Sequence, residues 1–124
     1  MMRARNLAIA TLVAGLAIAS SPRLRAHAYL DHAVPAVGET VAKAPAQAEI
    51  WFSEKVEAAF STIEVFDANG KRVDRGDTQI DPQDGRGMRV SLQALPPGTY
   101  KVHWRAVSVD THATQGDFTF KVGK

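Results

Sequence analysis

An aspartate and a histidine two residues apart, Asp110-Thr111-His112, form the most suggestive chemical unit in this 124-residue chain. In an extended segment, residues i and i+2 project to the same side, so a carboxylate and an imidazole at this spacing can converge on one ion. The spacing also fits an aspartate that caps a turn beside a surface histidine. Three other histidines are present. His103 lies on the polar face of KVHWR (101–105) and reads as a solvated strand residue, and His32 sits in a polar stretch after the first strand. Ser108, Asp110 and His112 include the residue types of a hydrolytic triad, but a nucleophile elbow and a glycine-rich oxyanion loop are lacking, so hydrolysis is not expected.

The remaining histidine, His27, depends on how the chain is processed. Arg3 and Arg5 are followed by an apolar run of about 13 residues (7–19) and a short stretch ending in small residues, the pattern of a secretory leader. The run is shorter than the roughly 20 residues needed to span a bilayer. Two cuts fit. Ala26-His27-Ala28 has small residues at the preferred positions, which favours cleavage after Ala28, whereas cleavage after Ala26 leaves His27 as the first residue. A terminal histidine can chelate a metal through its free amine and its ring Nδ1 in a six-membered ring. Its amine titrates near 8, so a metal displaces the proton readily around neutral pH. Two nitrogens from His27, one from His112 and an oxygen from Asp110 would form a planar set suited to Cu(II), where zinc would prefer a tetrahedron.

Composition narrows the remaining options. Removing 1–26 leaves about 98 residues, enough for one domain with a modest core. The formal charge of +2, less the four arginines of the leader, becomes about −2, and the case for a nucleic-acid partner goes with it. Cysteine is absent, which excludes thiolate sites and disulfides. Once Met1 and Met2 leave, only Met88 remains of three methionines, too few for a soft Cu(I) site.

The elements that must position these groups read as strands. Ala48, Ile50 and Phe52 alternate with polar or larger neighbours, as do Ile63 and Val65, Met88, Val90 and Leu92, then Tyr100, Val102 and Trp104, then Phe118, Phe120 and Val122. Asp67-Ala68-Asn69-Gly70 predicts a hairpin turn, with Asn69 and Gly70 tolerating positive φ, and LPPGT (95–99) predicts a second turn. Residues 42–48 are alanine-rich, but Pro45 and the short length argue against a helix. The expectation is an all-β fold: two antiparallel sheets packed as a small Ig-like, cupredoxin-like Greek-key sandwich of about seven strands.

In order and spacing, HAYL (27–30), PAVG (35–38), FSEKVE (52–57), Phe60-Ser61, the hairpin 65–70, LPPGTY (95–100), Trp104-Arg105, SVDTH (108–112), Gly116 and Phe118-Thr119-Phe120 resemble the CopC family of periplasmic copper-binding proteins. The likeness covers essentially all of residues 27–124. It implies a signal peptide over 1–26, a terminal His27, and one Cu(II) held by the His27 amine and ring, Asp110 and His112. The acid of FSE falls on Glu54, which on this resemblance either approaches the metal axially or hydrogen-bonds a ligand; as a bare sequence feature it is a strand-end surface acid. Two departures stand out. The methionine-rich segment some members use for Cu(I) is missing, and no membrane region follows, so fusion to a CopD-type membrane protein is not expected.

The expectation is a monomeric, non-catalytic periplasmic protein without membrane insertion, which sequesters copper or passes it to a CopD-type inner-membrane transporter. Two other readings stay open at this point. A terminal histidine with a second histidine resembles the copper brace of oxidative polysaccharide-cleaving enzymes. Against that reading stand the small size, the added anionic ligand Asp110 and the absence of an evident aromatic platform for a sugar chain. The other is an Ig-like structural module without metal.

Overall fold

The period-two alternation of apolar residues needs two faces of unlike polarity, and a sheet packed on a second sheet supplies them. The structure, a computed structural model, describes residues 28–124. The leader 1–26 and His27 lie outside the described residues. Eight strands follow in order: β1 (Leu30–Val34), β2 (Thr40–Val41), β3 (Gln47–Phe52), β4 (Thr62–Phe66), β5 (Gln79–Ile80), β6 (Gly87–Ser91), β7 (Gly98–Val107) and β8 (Ala113–Val122). They form two four-stranded sheets, ordered β1-β3-β6-β5 and β2-β8-β7-β4.

Every alternating set named from the sequence turns inward. Ala48, Ile50, Phe52, Ile63, Val65, Met88, Val90, Leu92, Tyr100, Val102, Trp104, Phe118, Phe120 and Val122 are all buried in one core. The sheets interlock through aromatic side chains: Phe52 of β3 meets Trp104 of β7 edge to face, with centroids 5.2 Å apart. Trp104 also explains Gly116, its cross-strand partner. A Cβ at Gly116 would come within 2.9 Å of the indole Cζ2, so only glycine lets the ring lie against β8.

Topology diverges from the sequence expectation in small ways, each with a physical cause. There are eight strands rather than about seven, because β2 and β5 have two residues each and are too short to show alternation. The sheets are not wholly antiparallel, since β2 runs parallel to β8 at the sheet edge. His32 lies within β1 rather than after the first strand. There its ring stacks on Trp51, with centroids 4.6 Å apart and planes 5° apart, so an edge strand accommodates a polar residue by using the outer face of its neighbour. In the turn at 67–70, Gly70 has positive φ but Asn69 does not, because Asp67 Oδ1 accepts from the N–H groups of Asn69 and Lys71 and holds the loop by an Asx turn instead.

Residues 42–48 form no helix; among the described residues the helical element is a single 3-10 turn, Ala58–Phe60. No described helix is long and apolar enough to cross a membrane. The feature that matters most for a site is the β7–β8 hairpin. Its strands pair over ten positions, from Gly98 opposite Val122 to Val107 opposite Ala113, and SVDTH (108–112) is its tip.

Candidate metal centre

A five-residue tip on so long a hairpin is held at its base by the ladder, so its side chains inherit a fixed orientation. The tip closes on itself: Ser108 N–H donates to the His112 carbonyl at 3.0 Å, and Thr111 N–H donates to the Ser108 carbonyl at 2.8 Å. Thr111 adopts a φ of 72°, a left-handed conformation unfavourable for a β-branched residue, and the surrounding bonds hold it there. The consequence is that Asp110 and His112 converge. His112 N–H donates to Asp110 Oδ1 at 3.2 Å, and His112 Nδ1 lies 3.4 Å from the same oxygen.

Ser108 takes the role of organiser. Its side chain is buried, and its hydroxyl donates to Asp110 Oδ1 while lying 3.2 Å from the His112 carbonyl. That hydroxyl bond, with smaller help from the His112 N–H and ring, holds the Asp110 carboxyl below the usual carboxylate range. Asp110 is therefore anionic, as a metal ligand must be. Ser108→Ala is expected to raise the Asp110 carboxyl toward its ordinary range, measurable by a carbon-detected NMR titration of that side chain. An unchanged Asp110 titration would show that the serine does not organise it.

The segment 53–57 packs beside the tip. Val109 N–H donates to the Lys55 carbonyl at 3.2 Å, Glu57 N–H to the Val107 carbonyl at 2.7 Å, and Val56 forms a bridge with Ser108. Glu54 is half-buried in this segment, between Ser53 and Lys55. Among the described residues no group of three or more His, Cys, Asp and Glu side chains gathers closely enough to hold an ion. Asp110 and His112 are thus brought together as a pair, and Glu54 is not gathered with them. His27, the remaining residue of the expected set, precedes the described residues by one position.

The other histidines are engaged elsewhere. His32 Nδ1 lies 2.8 Å from Asp31 Oδ2, and His103 Nδ1 lies 2.6 Å from Asp117 Oδ1 on the outer face of the β7–β8 sheet. Met88, the methionine that remains beyond the leader, is 2% exposed and belongs to the core. A surface hollow of about 430 Å³, lined by Phe66, Asp67, Thr99 and Lys101 among others, is at the opposite end of β7 and takes no part in this centre. Sequence reasoning missed Ser108 as an organiser, although the i, i+2 spacing that puts Asp110 and His112 on one side puts Ser108 and Asp110 on one side too.

A two-sheet sandwich carrying a histidine–carboxylate pair on one hairpin tip defines a small β-sandwich protein with a candidate metal-binding pair at one end. The chain belongs to the CopC family: the CopC domain profile matches residues 30–123. It is 41% identical over 100 residues to the copper transport protein CutJ of Bacillus subtilis, covering 80% of this chain but only 18% of that longer protein. Among solved structures, it resembles CopC from Methylosinus trichosporium OB3b, with a TM-score of 0.74 and 30% identity over 78% of this chain and 94% of that one. It also resembles PcoC, a methionine-rich copper resistance protein from Escherichia coli, with a TM-score of 0.67 and 33% identity over 78% of this chain and 99% of that one.

Proposed function

We propose that this is a periplasmic copper-binding protein that holds one Cu(II) through the amine and ring of a terminal His27, the ring of His112 and the carboxylate of Asp110. In this reading the leader 1–26 is removed after Ala26, and Glu54 closes the centre from the side, as an axial donor or as a hydrogen-bond partner of a ligand. The role is binding rather than catalysis: the protein sequesters copper, or passes it to a membrane partner of the CopD type, in copper resistance or transport.

The observation that supports it best is the joining of Asp110 and His112 at a rigid hairpin tip, with the carboxyl already held in its anionic form. An anionic oxygen and neutral imidazole nitrogens suit Cu(II) and are poor ligands for Cu(I), which prefers sulfur. Ligands of this type bind tightly, so release to a partner would be helped by reduction. The protein acts in the reading as a monomer.

The test is native mass spectrometry of the exported protein, with and without Cu(II). The expected result is a chain beginning at His27 that carries one copper, with stoichiometric binding lost in Asp110→Ala/His112→Ala. A chain beginning at Tyr29 that still binds one copper tightly would sink the proposed ligand set. Failure of the correctly processed protein to retain copper through dialysis would sink the function.

A further inference from the structure

The first described residue of the chain is unexpectedly well held. Ala28 is 0% exposed, although a residue so close to the start of a mature chain would ordinarily fray. Three hydrogen bonds fasten it and its neighbour. Thr114 Oγ1 donates to the Ala28 carbonyl at 2.5 Å, across 86 residues of sequence. Tyr29 N–H donates to Ser53 Oγ at 2.9 Å, and Ser53 N–H returns a bond to the Tyr29 carbonyl at 2.8 Å. Regular pairing with β3 starts only at Leu30, opposite Phe52, and is then interrupted by a register shift before His32.

The two anchors come from different sheets. Ser53 follows the last residue of β3, and Thr114 is the second residue of β8, so residues 28 and 29 are sewn into the seam where the sandwich ends. Both anchors adjoin the candidate centre in sequence. Thr114 is two residues beyond His112, a span of about 7 Å in extended chain, and Ser53 directly precedes Glu54. Consecutive Cα atoms are about 3.8 Å apart, so an anchor on Ala28 limits how far the donors of a preceding residue can stray.

We propose that the Thr114 hydroxyl and Ser53 form a clamp on residues 28 and 29 that presets the His27 amine and ring beside Asp110 and His112. They are positioning residues, acting on copper only through the main chain they hold. The inference rests on the copper reading given above. Without the clamp, the chelating residue would sit on a free chain end, and the ordering of that end would have to accompany each binding event. With it, the amine is delivered by the fold. Thr114 stands opposite Ala106 in the ladder with β7, and its hydroxyl reaches Ala28 from that fixed position.

The test compares Thr114→Val, which removes the hydroxyl at nearly equal volume, with Thr114→Ser, which keeps it, and with Ser53→Ala, each processed to a free His27. Cu(II) affinity is read by competition with a chelator, the ligand field by electron paramagnetic resonance, and folding by thermal denaturation. Thr114→Val should bind Cu(II) about 10- to 100-fold more weakly, as when partners that orient metal ligands are lost. Its spectrum should shift toward fewer nitrogen donors, Ser53→Ala should move in the same direction, and Thr114→Ser should restore both readouts. In a background where one added residue blocks the His27 amine, Thr114→Val should have no further effect.

Wild-type affinity in Thr114→Val and Ser53→Ala, with the amine-blocked chain weakened, would overturn the clamp and leave the copper reading intact. Equal weakening by Thr114→Val in both backgrounds would also overturn it, since the threonine would then act on the fold alone. Undiminished binding by the amine-blocked chain would instead remove His27 from the ligand set and overturn the clamp with it. Loss of copper by every variant and the wild type alike would overturn the copper reading itself. If Thr114→Val fails to fold, Ser53→Ala and Thr114→Ser carry the same comparison.

Discussion

Blocking the amine of His27 is expected to weaken Cu(II) binding by roughly a thousandfold or more, about 4 kcal/mol. The amine and ring Nδ1 of one residue close a six-membered chelate, so once the ring is bound the amine is already at the metal at high effective concentration. An acetyl group, or a single residue left before His27, converts that amine into an amide. An amide nitrogen carries no readily available lone pair at neutral pH, whereas the amine, with a pKa near 8, gives up its proton to a metal easily. The fold should not register the change, since twenty buried apolar side chains among the described residues already build a core. Isothermal titration of the processed chain against the same chain with one extra residue separates the two cases, with matched denaturation curves as the control. Equal copper affinity in the two would remove His27 from the ligand set.

On the proposed ligand set, processing of the chain becomes part of the chemistry. Cleavage after Ala28 would discard the chelating residue together with Ala28, the residue whose carbonyl Thr114 holds. Cleavage after Ala26 leaves both. The bond from Thr114 to Ala28 fits the second cut, whereas the leader's own pattern fits the first. A purification tag before residue 27 would give an expected loss of binding unrelated to the fold.

What could be read in advance was whatever repeats with period two or lies close in sequence. Phe118, Phe120 and Val122 announce a strand because one face of it must be buried, and the same holds for Tyr100, Val102 and Trp104. Asp110 and His112 are legible as a pair because their spacing is local, and the structure brings them within 3.4 Å. Long-range or very short features were not legible. The parallel pairing of Thr40 with Lys121 involves two residues and carries no pattern. The bond from Thr114 to Ala28 joins residues 86 apart, and nothing in either neighbourhood signals the other. Ser108 was visible only as a hydroxyl near a histidine and an acid, which suggests a nucleophile; its burial and its bond to Asp110 give it an orienting role instead. His32 reads as part of a polar stretch after the first strand because Asp31 and His32 are polar, yet on an edge strand the face of Trp51 is sufficient support.

Asp74→Ala is expected to destabilise the fold by about 3–5 kcal/mol, a large share of the roughly 5–15 kcal/mol typical of a domain. Strand β4 is an edge of its sheet, and its outer N–H groups need acceptors that no further strand supplies. Asp74, with a side chain 0% exposed, fills that need: Oδ1 accepts from Val65 N–H at 2.8 Å and from Arg72 Nε at 2.7 Å, while Oδ2 accepts from Arg72 Nη2 at 2.7 Å and Gly76 N–H at 3.0 Å. It also lies where the chain crosses between the sheets, bridging to Leu92, so its loss loosens the side of the sandwich. Alanine would leave the buried Val65 N–H, the Gly76 N–H and a guanidinium without their acceptor, although Gly76 is exposed and the Arg72 side chain, 45% exposed, can turn to water, which places the loss toward the lower end. Burial alone would push the Asp74 carboxyl up, but the hydrogen bonds from Arg72, then the Val65 N–H, the Arg72 charge and the Gly76 N–H outweigh it and hold the carboxyl below the usual range. Because the folded pKa is depressed, this stabilisation is fully present above the unfolded carboxylate range, near 3.9, and is lost as pH falls through the folded value. Urea denaturation between pH 7 and pH 2 should therefore show wild-type stability falling at the acid end, and Asp74→Asn, which cannot titrate there, should be less stable at pH 7 and lose less on acidification. A loss below about 1 kcal/mol at pH 7 in Asp74→Ala would mean that water reaches these donors and that the edge of β4 is held by other contacts. Asp74 and the hairpin tip share no hydrogen bond, so copper affinity measured at a temperature where Asp74→Ala remains folded should equal that of the wild type. That equality would separate the residues that hold the sandwich together from those that hold its cargo.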